Sequence, residues 1–312
     1  MTLNEIPLWF SRASVISFGL LWGSFLNVVI HRIPRELSIV SPRSHCPACE
    51  KPIAAYDNVP VLSYLVLRGR ARCCGAKISP RYPLVEVLAG ALSLALFEFV
   101  VRALPADTTL LHACGVYLVD LALCLGLLAA AFIDAEYMYL PDAVTLGGTA
   151  LAFAAAPLHG LGYLTSGIGA VSGFLLAWLP FMVLYKLVRG RSGMGLGDAK
   201  LLALAGAWFG APPVLFVLFA GAIQASVWAG IVYLVRGKIE EPEAVRQDRE
   251  ELTRAAQDGD EEAKQLLDDD PLGKEPEGIG QSPIAFGPFL ILAILEYLFL
   301  GDILLAWISP EY

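Results

Sequence analysis

Apolar residues in this chain gather into runs of about twenty, the length a helix needs to cross a hydrocarbon layer about 30 Å thick. Eight such runs can be drawn, at 9–30, 83–104, 110–133, 143–161, 166–188, 199–217, 219–235 and 284–308. The pattern predicts an all-α integral membrane protein of about eight transmembrane helices, with the polar segment 31–81 forming a cysteine-containing loop. The sixth and seventh runs are separated only by Gly210-Ala-Pro-Pro213 and small residues. The first run carries no small-residue cleavage site before the next polar stretch, so it reads as a retained span.

The resulting organisation is a first span at 1–30, a loop at 31–81, a membrane core at 82–238, an acidic insert at 239–282 and a last span at 283–312. Composition supports the bilayer reading: 56% of the 312 residues are hydrophobic and 17% charged, with a mean hydropathy of +0.62. A soluble globular domain does not have that balance. Basic residues concentrate in 31–81, 185–200 and 236–274, which places those segments in the cytoplasm by the positive-inside rule. Arg32, Arg35, Arg68, Arg70, Arg72 and Arg81 suit an anionic lipid surface. The formal charge of −8 is local in origin, since residues 239–282 hold 15 Asp or Glu against 5 Lys or Arg. That insert has few large apolar residues and reads as a mobile, solvated loop, with helix-forming composition from Glu243 to Leu267. It is expected to be dispensable for the activity of the membrane core, with an electrostatic role in gathering charged partners as the competing reading.

Six cysteines fall into two classes. Cys114 and Cys124 lie inside an apolar run and read as packing. Cys46 and Cys49 in SHCPACEKPI, and Cys73 and Cys74 in RARCCGAKIS, form two knuckle-like turns able to converge on one structural zinc. Ala71 stands where the first cysteine of a second CxxC would be. A three-cysteine site completed by His45 or water, and a metal-free reduced loop, therefore compete with the four-cysteine site.

Ionisable residues at a membrane boundary are functional candidates by default. Asp134 ends the third run and Asp198, in GMGLGDAKLL, begins the sixth; they are 64 positions apart, and the outward and returning helices between them bring both to one membrane face. Two carboxylates sharing a proton suffice to hydrolyse a peptide, one activating water and the other protonating the carbonyl or leaving amine. Gly195 and Gly197 would let backbone and substrate approach closely. Asp142, after Pro141, reads as a helix cap and support for the cleft.

Taken together, GSFLNVVIHRIP (23–34), CPAC (46–49), NVPVLSYLVLRGR (58–70), ISPRYPLVE (78–86), the Asp134–Asp142 segment, GMGLGDAKL (193–201) and IAFGPFL (284–290) resemble the type IV prepilin peptidase family. The resemblance implies a multi-pass protein of the bacterial inner membrane with its active site facing the cytoplasm, and Asp134 and Asp198 as catalytic aspartates. It implies zinc on the loop cysteines, and prepilins and pseudopilins as substrates, cut after a Gly that ends a short basic leader. It also implies methyl transfer from S-adenosylmethionine to the new N-terminus, with the Gly69 loop as candidate site, and no nucleic-acid partner. Locally, Arg68-Gly69-Arg70 reads equally well as an ordinary turn.

Overall fold

The computed structural model describes residues 5–41, 44–46, 48–189, 193–238, 241–261, 263, 264, 267 and 284–308. Among them helices dominate and no strand forms, as the runs of apolar residues require. The long elements are α1 (Leu8–Arg32), α2 (Arg81–Ala95), α3 (Leu110–Tyr137), α4 (Asp142–Ala155), α5 (Tyr163–Ala177), α6 (Leu196–Phe209), α7 (Ala211–Arg236), α8 (Glu243–Gln257) and α9 (Gly287–Ile308). Continuous helical stretches long and apolar enough to cross a membrane are Leu8–Arg35, Arg81–Ala103, Leu110–Tyr137, Tyr163–Arg189 and Pro212–Arg236, with Gly287–Gly301 a shorter apolar helix. The fourth and sixth runs give helices of only 14 residues. The sixth run, drawn at 199–217, is broken at Gly210 (φ 87°), which ends α6, while Pro212 and Pro213 occupy the first turn of α7. Proline is tolerated there because first-turn N–H groups have no intrahelical partner.

Backbone contacts divide the chain into two compact units. One comprises Met1–Ala129, Pro157–Gly160 and Leu298–Tyr312. Its main seam is α1 against α2, where a Cβ on Gly19 would lie 2.5 Å from Ser93 Cβ and one on Gly23 would lie 2.8 Å from Glu86 Cα. In lipid, where apolar burial gives no net drive between helices, such close backbone approach supplies the attraction through dispersion and polar contacts. Ser93 Oγ bonds the Val15 carbonyl and the Tyr117 hydroxyl, and Asn27 Nδ2 donates to the Tyr82 carbonyl at 3.1 Å.

The second unit comprises Ala130–Ala156 and Leu161–Tyr297. It repeats the device with Gly169-x-x-x-Gly173 of α5 set against α6. A Cβ on Gly169 would stand 1.9 Å from the Gly206 carbonyl oxygen, and one on Gly173 2.2 Å from that of Leu202. Ser166 Oγ donates to the Ala207 carbonyl at 2.7 Å across the same seam. Pro180 lies where α5 continues as a π-helical stretch, Trp178–Leu184, the form of winding that absorbs a missing backbone donor. The Phe181 carbonyl there accepts the N–H of Gly193 at 2.8 Å, tying the glycine segment before α6 to α5.

The acidic insert is not solvated along its whole length. Its residues 243–257 form α8 as their composition predicts, yet Val245 and Ala263 are buried. The remainder of the insert, from 268 to 282, lies outside the described residues.

Candidate functional site

In the second unit, Asp134 sits in the last turn of α3 and Asp198 in the first turn of α6, and both are buried, with 5% and 9% exposure. Each is held by a backbone donor. Asp134 Oδ2 accepts the N–H of Gly287 at 3.0 Å, and Asp198 Oδ2 accepts the N–H of Gly195 at 3.2 Å. The second bond is half of a capping box, so Asp198 does cap its own helix, but with one oxygen only. Among the described residues no hydrogen bond occupies Oδ1 of either aspartate. The charge on Asp134 falls within electrostatic reach of Asp198. Two buried carboxylates at that range are a costly arrangement without a shared proton, a metal or a substrate.

Leu140 is the spacer of this site. It is buried, and it meets the Cβ positions of Gly197, at 3.0 Å, and Gly287, at 3.1 Å. A Cβ on Gly287 would also stand 2.6 Å from Asp134 Oδ2. Gly197 and Gly287 are therefore glycines because a leucine and a carboxylate fill the space of their side chains. Gly195 differs, since a Cβ there would meet Asp198 Oδ2 at an ordinary 3.4 Å. Gly287 and Leu140 had no role in the sequence reading, although both stand in motifs that it singled out.

Asp142 is corrected. It begins α4 but makes no capping bond; its Oδ1 instead accepts from Lys200 Nζ, an ion pair that ties α4 to the helix carrying Asp198. Lys200 removes Asp142 from the cap role because a lysine two residues beyond Asp198 faces α4, a pairing 58 residues apart in sequence.

In the first unit, the cysteine loop folds as two knuckles, each closed by a backbone bridge: His45 with Pro52 and Arg70 with Lys77. Cys46, Cys49, Cys73 and Cys74 place their sulfurs within 4.8 Å of one another. Zinc held by four thiolates at about 2.3 Å needs sulfurs about 3.8 Å apart. Cys46–Cys74 at 3.7 Å, Cys73–Cys74 at 3.9 Å and Cys49–Cys73 at 3.3 Å fit that geometry closely. Adjacent cysteines are compatible with one site because Gly75 (φ 73°) turns the chain directly after them. His45 is not part of the group. Without a cation the four thiols divide their protons unevenly: the Ala48 N–H helps hold Cys46 down to about 7, while its bond with Cys49 pushes Cys73 up to about 12.

Gly69 occupies the left-handed region (φ 69°), and its Cβ position is met by the Tyr64 hydroxyl at 3.0 Å, so this turn requires glycine whatever its further role. The basic residues of the loop do not all face outward. Arg32 is buried, donating to the Ser38 carbonyl at 2.7 Å, and Arg72 pairs with Asp57 at 2.9 Å.

Comparison with known proteins gives the family of the chain. Residues 17–100 match the Bacterial Peptidase A24 N-terminal domain, and residues 121–230 match the Type IV leader peptidase family. Among similar proteins, a prepilin leader peptidase/N-methyltransferase of Aeromonas hydrophila is 39% identical over 72% of this chain and 83% of its own length. Proteins of the same name from Burkholderia pseudomallei and Myxococcus xanthus are each 36% identical, the first over 76% of this chain and 82% of its own length, the second over 99% and 96%. No solved structure matches the chain at a significant level. With both domains in order and relatives matched over most of their length, the chain is an enzyme of the type IV leader peptidase family.

Proposed function

We propose that this chain cleaves the leader from type IV prepilins and pseudopilins after a glycine, with Asp134 and Asp198 as the catalytic pair, and then methylates the new N-terminus. The observation that carries the reading is the pair itself: two buried aspartates, each fixed through one oxygen on a backbone N–H and each with its other oxygen unbonded among the described residues. One ionised carboxylate takes a proton from water as the oxygen attacks the scissile carbonyl, and the other gives its proton to the carbonyl oxygen. Collapse of the tetrahedral adduct breaks the C–N bond, and the proton taken from water passes to the departing amine. Gly195 leaves the peptide backbone room beside Asp198, Gly197 lets Leu140 pack against the first turn of α6, and Asp142, through Lys200, braces α6 from outside the reacting atoms.

The enzyme acts in the bacterial inner membrane, with both aspartates toward the cytoplasm, where a substrate helix inserted in the bilayer presents its leader. Cys46, Cys49, Cys73 and Cys74 hold a zinc ion that crosslinks the two knuckles, a structural role because four thiolates leave no open position. S-adenosylmethionine supplies the methyl group, and the turn at Gly69 is the candidate for its binding. No nucleic acid takes part.

The test is cleavage of a prepilin in membranes by Asp134→Asn and Asp198→Asn variants that remain inserted. Each should lose activity by a factor on the order of 10³ or more, because the shared-proton chemistry needs both groups. Near-normal processing by either variant would sink the pair.

A further inference from the structure

The N–H that holds Asp134 belongs to Gly287, the first residue of α9, where a helix offers that group no partner of its own. Whether it meets the carboxylate depends on how α9 is seated. A slip of one residue along a helix moves the backbone by about 1.5 Å and turns it by about 100°, enough to carry the donor away from Asp134. The buried face of α9 is apolar, with Leu290, Ile291, Ala293 and Ile294 all out of contact with solvent or lipid. Apolar side chains in lipid give little preference among neighbouring registers, so a different kind of contact has to choose one.

Two contacts join α9 to α7 within the same unit. Near Gly287, a Cβ on Gly221 would stand 2.9 Å from Leu290 Cδ2 and 3.3 Å from Leu290 Cα, so the backbones approach closely. The other contact is polar: Gln224 Nε2 donates to Glu296 Oε2 at 2.7 Å. Glu296 follows Gly287 by nine residues, about 13 Å along the helix. A carboxylate inside so apolar a helix is costly and marks a function. The oxygen of the same Gln224 amide is buried and has no hydrogen-bond partner among the described residues. That amide is therefore shut off from water, and the bond to Glu296 is the use made of its polarity. Tyr297, next to Glu296, packs edge-on against Phe209 at the end of α6, with ring centroids 5.0 Å apart, so this end of the seam also reaches the helix of Asp198.

We propose that Glu296 and Gln224 are positioning residues of the peptidase: their bond fixes the register of α9 and, with it, the Gly287 N–H on Asp134. The proposal rests on the reading of Asp134 and Asp198 as the catalytic pair. A polar pair suits the task because it is directional. In an otherwise apolar seam, a register that parts Glu296 from the Gln224 N–H leaves both groups unbonded in a dry interior. Glu296 acts through Gly287 and not on the reacting atoms.

The test measures prepilin cleavage by the full-length protein in proteoliposomes. Glu296→Leu and Gln224→Leu should each lower kcat about ten- to hundredfold with KM held within about twofold, since what is lost is the placing of Asp134. Leucine is cheaper than either residue in lipid, so a purely structural role predicts no loss of kcat in an inserted leucine variant. Glu296→Gln keeps an oxygen for the Gln224 N–H and should recover most of the rate, as should Gln224→Glu combined with Glu296→Gln. Added to Gly287→Ala, Glu296→Leu should cost less than about twofold more, because both changes break the same bond. Wild-type kcat in both leucine variants, a raised KM with kcat held, or losses that multiply in the combined variant would each overturn the positioning role. Failure of both glutamine-bearing variants to recover the rate would overturn it too, and so would a leucine variant that does not insert. The Asp134→Asn variant, assayed alongside, separates the two readings: if it cleaves, the catalytic pair fails, and if it does not while the leucine variants match wild type, only the positioning role fails.

Discussion

Gly287→Ala tests the geometry of the site more sharply than removal of a carboxylate, because it adds one methyl group and no charge. The added Cβ would stand 2.6 Å from Asp134 Oδ2 and 3.0 Å from its Cγ, whereas ordinary contact begins at 3.4 Å. The carboxylate must therefore retreat by about 0.8 Å, and Leu140 Cδ2, 3.1 Å from the same Cβ, limits how α9 can yield instead. Retreat breaks the bond from the Gly287 N–H, and a hydrogen bond to a charged group contributes about 1.5–3 kcal/mol. A displacement near 1 Å in a reacting group costs on the order of 10² in rate. The expected result is a fall in kcat of about 30- to 100-fold on a prepilin substrate, with the protein still inserted. Gly147→Ala is the control, since a Cβ there meets nothing within 4 Å, and it should cleave normally. A Gly287→Ala enzyme with wild-type kcat would refute the claim that this backbone N–H positions Asp134.

The two glycines before Asp198 should separate: Gly197→Ala crowds Leu140 and should slow cleavage by about tenfold or more, whereas Gly195→Ala, with ordinary clearance, should remain active in the same assay. Asp142→Asn should be mild, since its side chain is 57% exposed and such ion pairs contribute about 0–1 kcal/mol; a complete loss of cleavage would move it into the catalytic pair. Gly169→Leu places a side chain where a Cβ alone meets the Gly206 carbonyl at 1.9 Å, and should cost more than about 3 kcal/mol of folding stability, seen as protease sensitivity in membranes. Purified protein should hold about one zinc per chain by metal analysis, lost in Cys46→Ser and equally in Cys74→Ser, because all four sulfurs share one cluster.

What could be read from the sequence divides by the range of the interaction. The helical class, the long spans, the placing of Asp134 and Asp198 at helix ends and the grouping of four cysteines follow from local period, length and spacing. The misdrawn sixth run was a local error too. Gly210 followed by Pro212 and Pro213 marks a helix start by first-turn chemistry, but the continuous apolar signal from Lys200 to Val235 hid it. The seam of Gly169 and Gly173 was also local and present as a four-residue spacing of small residues.

The rest needed partners that spacing along the chain does not specify. Asp142 read as a cap because Pro141-Asp142 is a cap-like pair in isolation; Lys200, 58 residues on, decided otherwise. Gly287 is 153 residues from Asp134, and nothing in IAFGPFL says which carboxylate its N–H will meet. In the insert, composition gave the helix of α8 correctly, because propensity is a sum over neighbours. Its apolar content was too low to signal packing, yet Val245 and Ala263 are buried. Charge count therefore described how most of the insert meets water, while the burial of Val245 and Ala263 depends on partners that composition does not name.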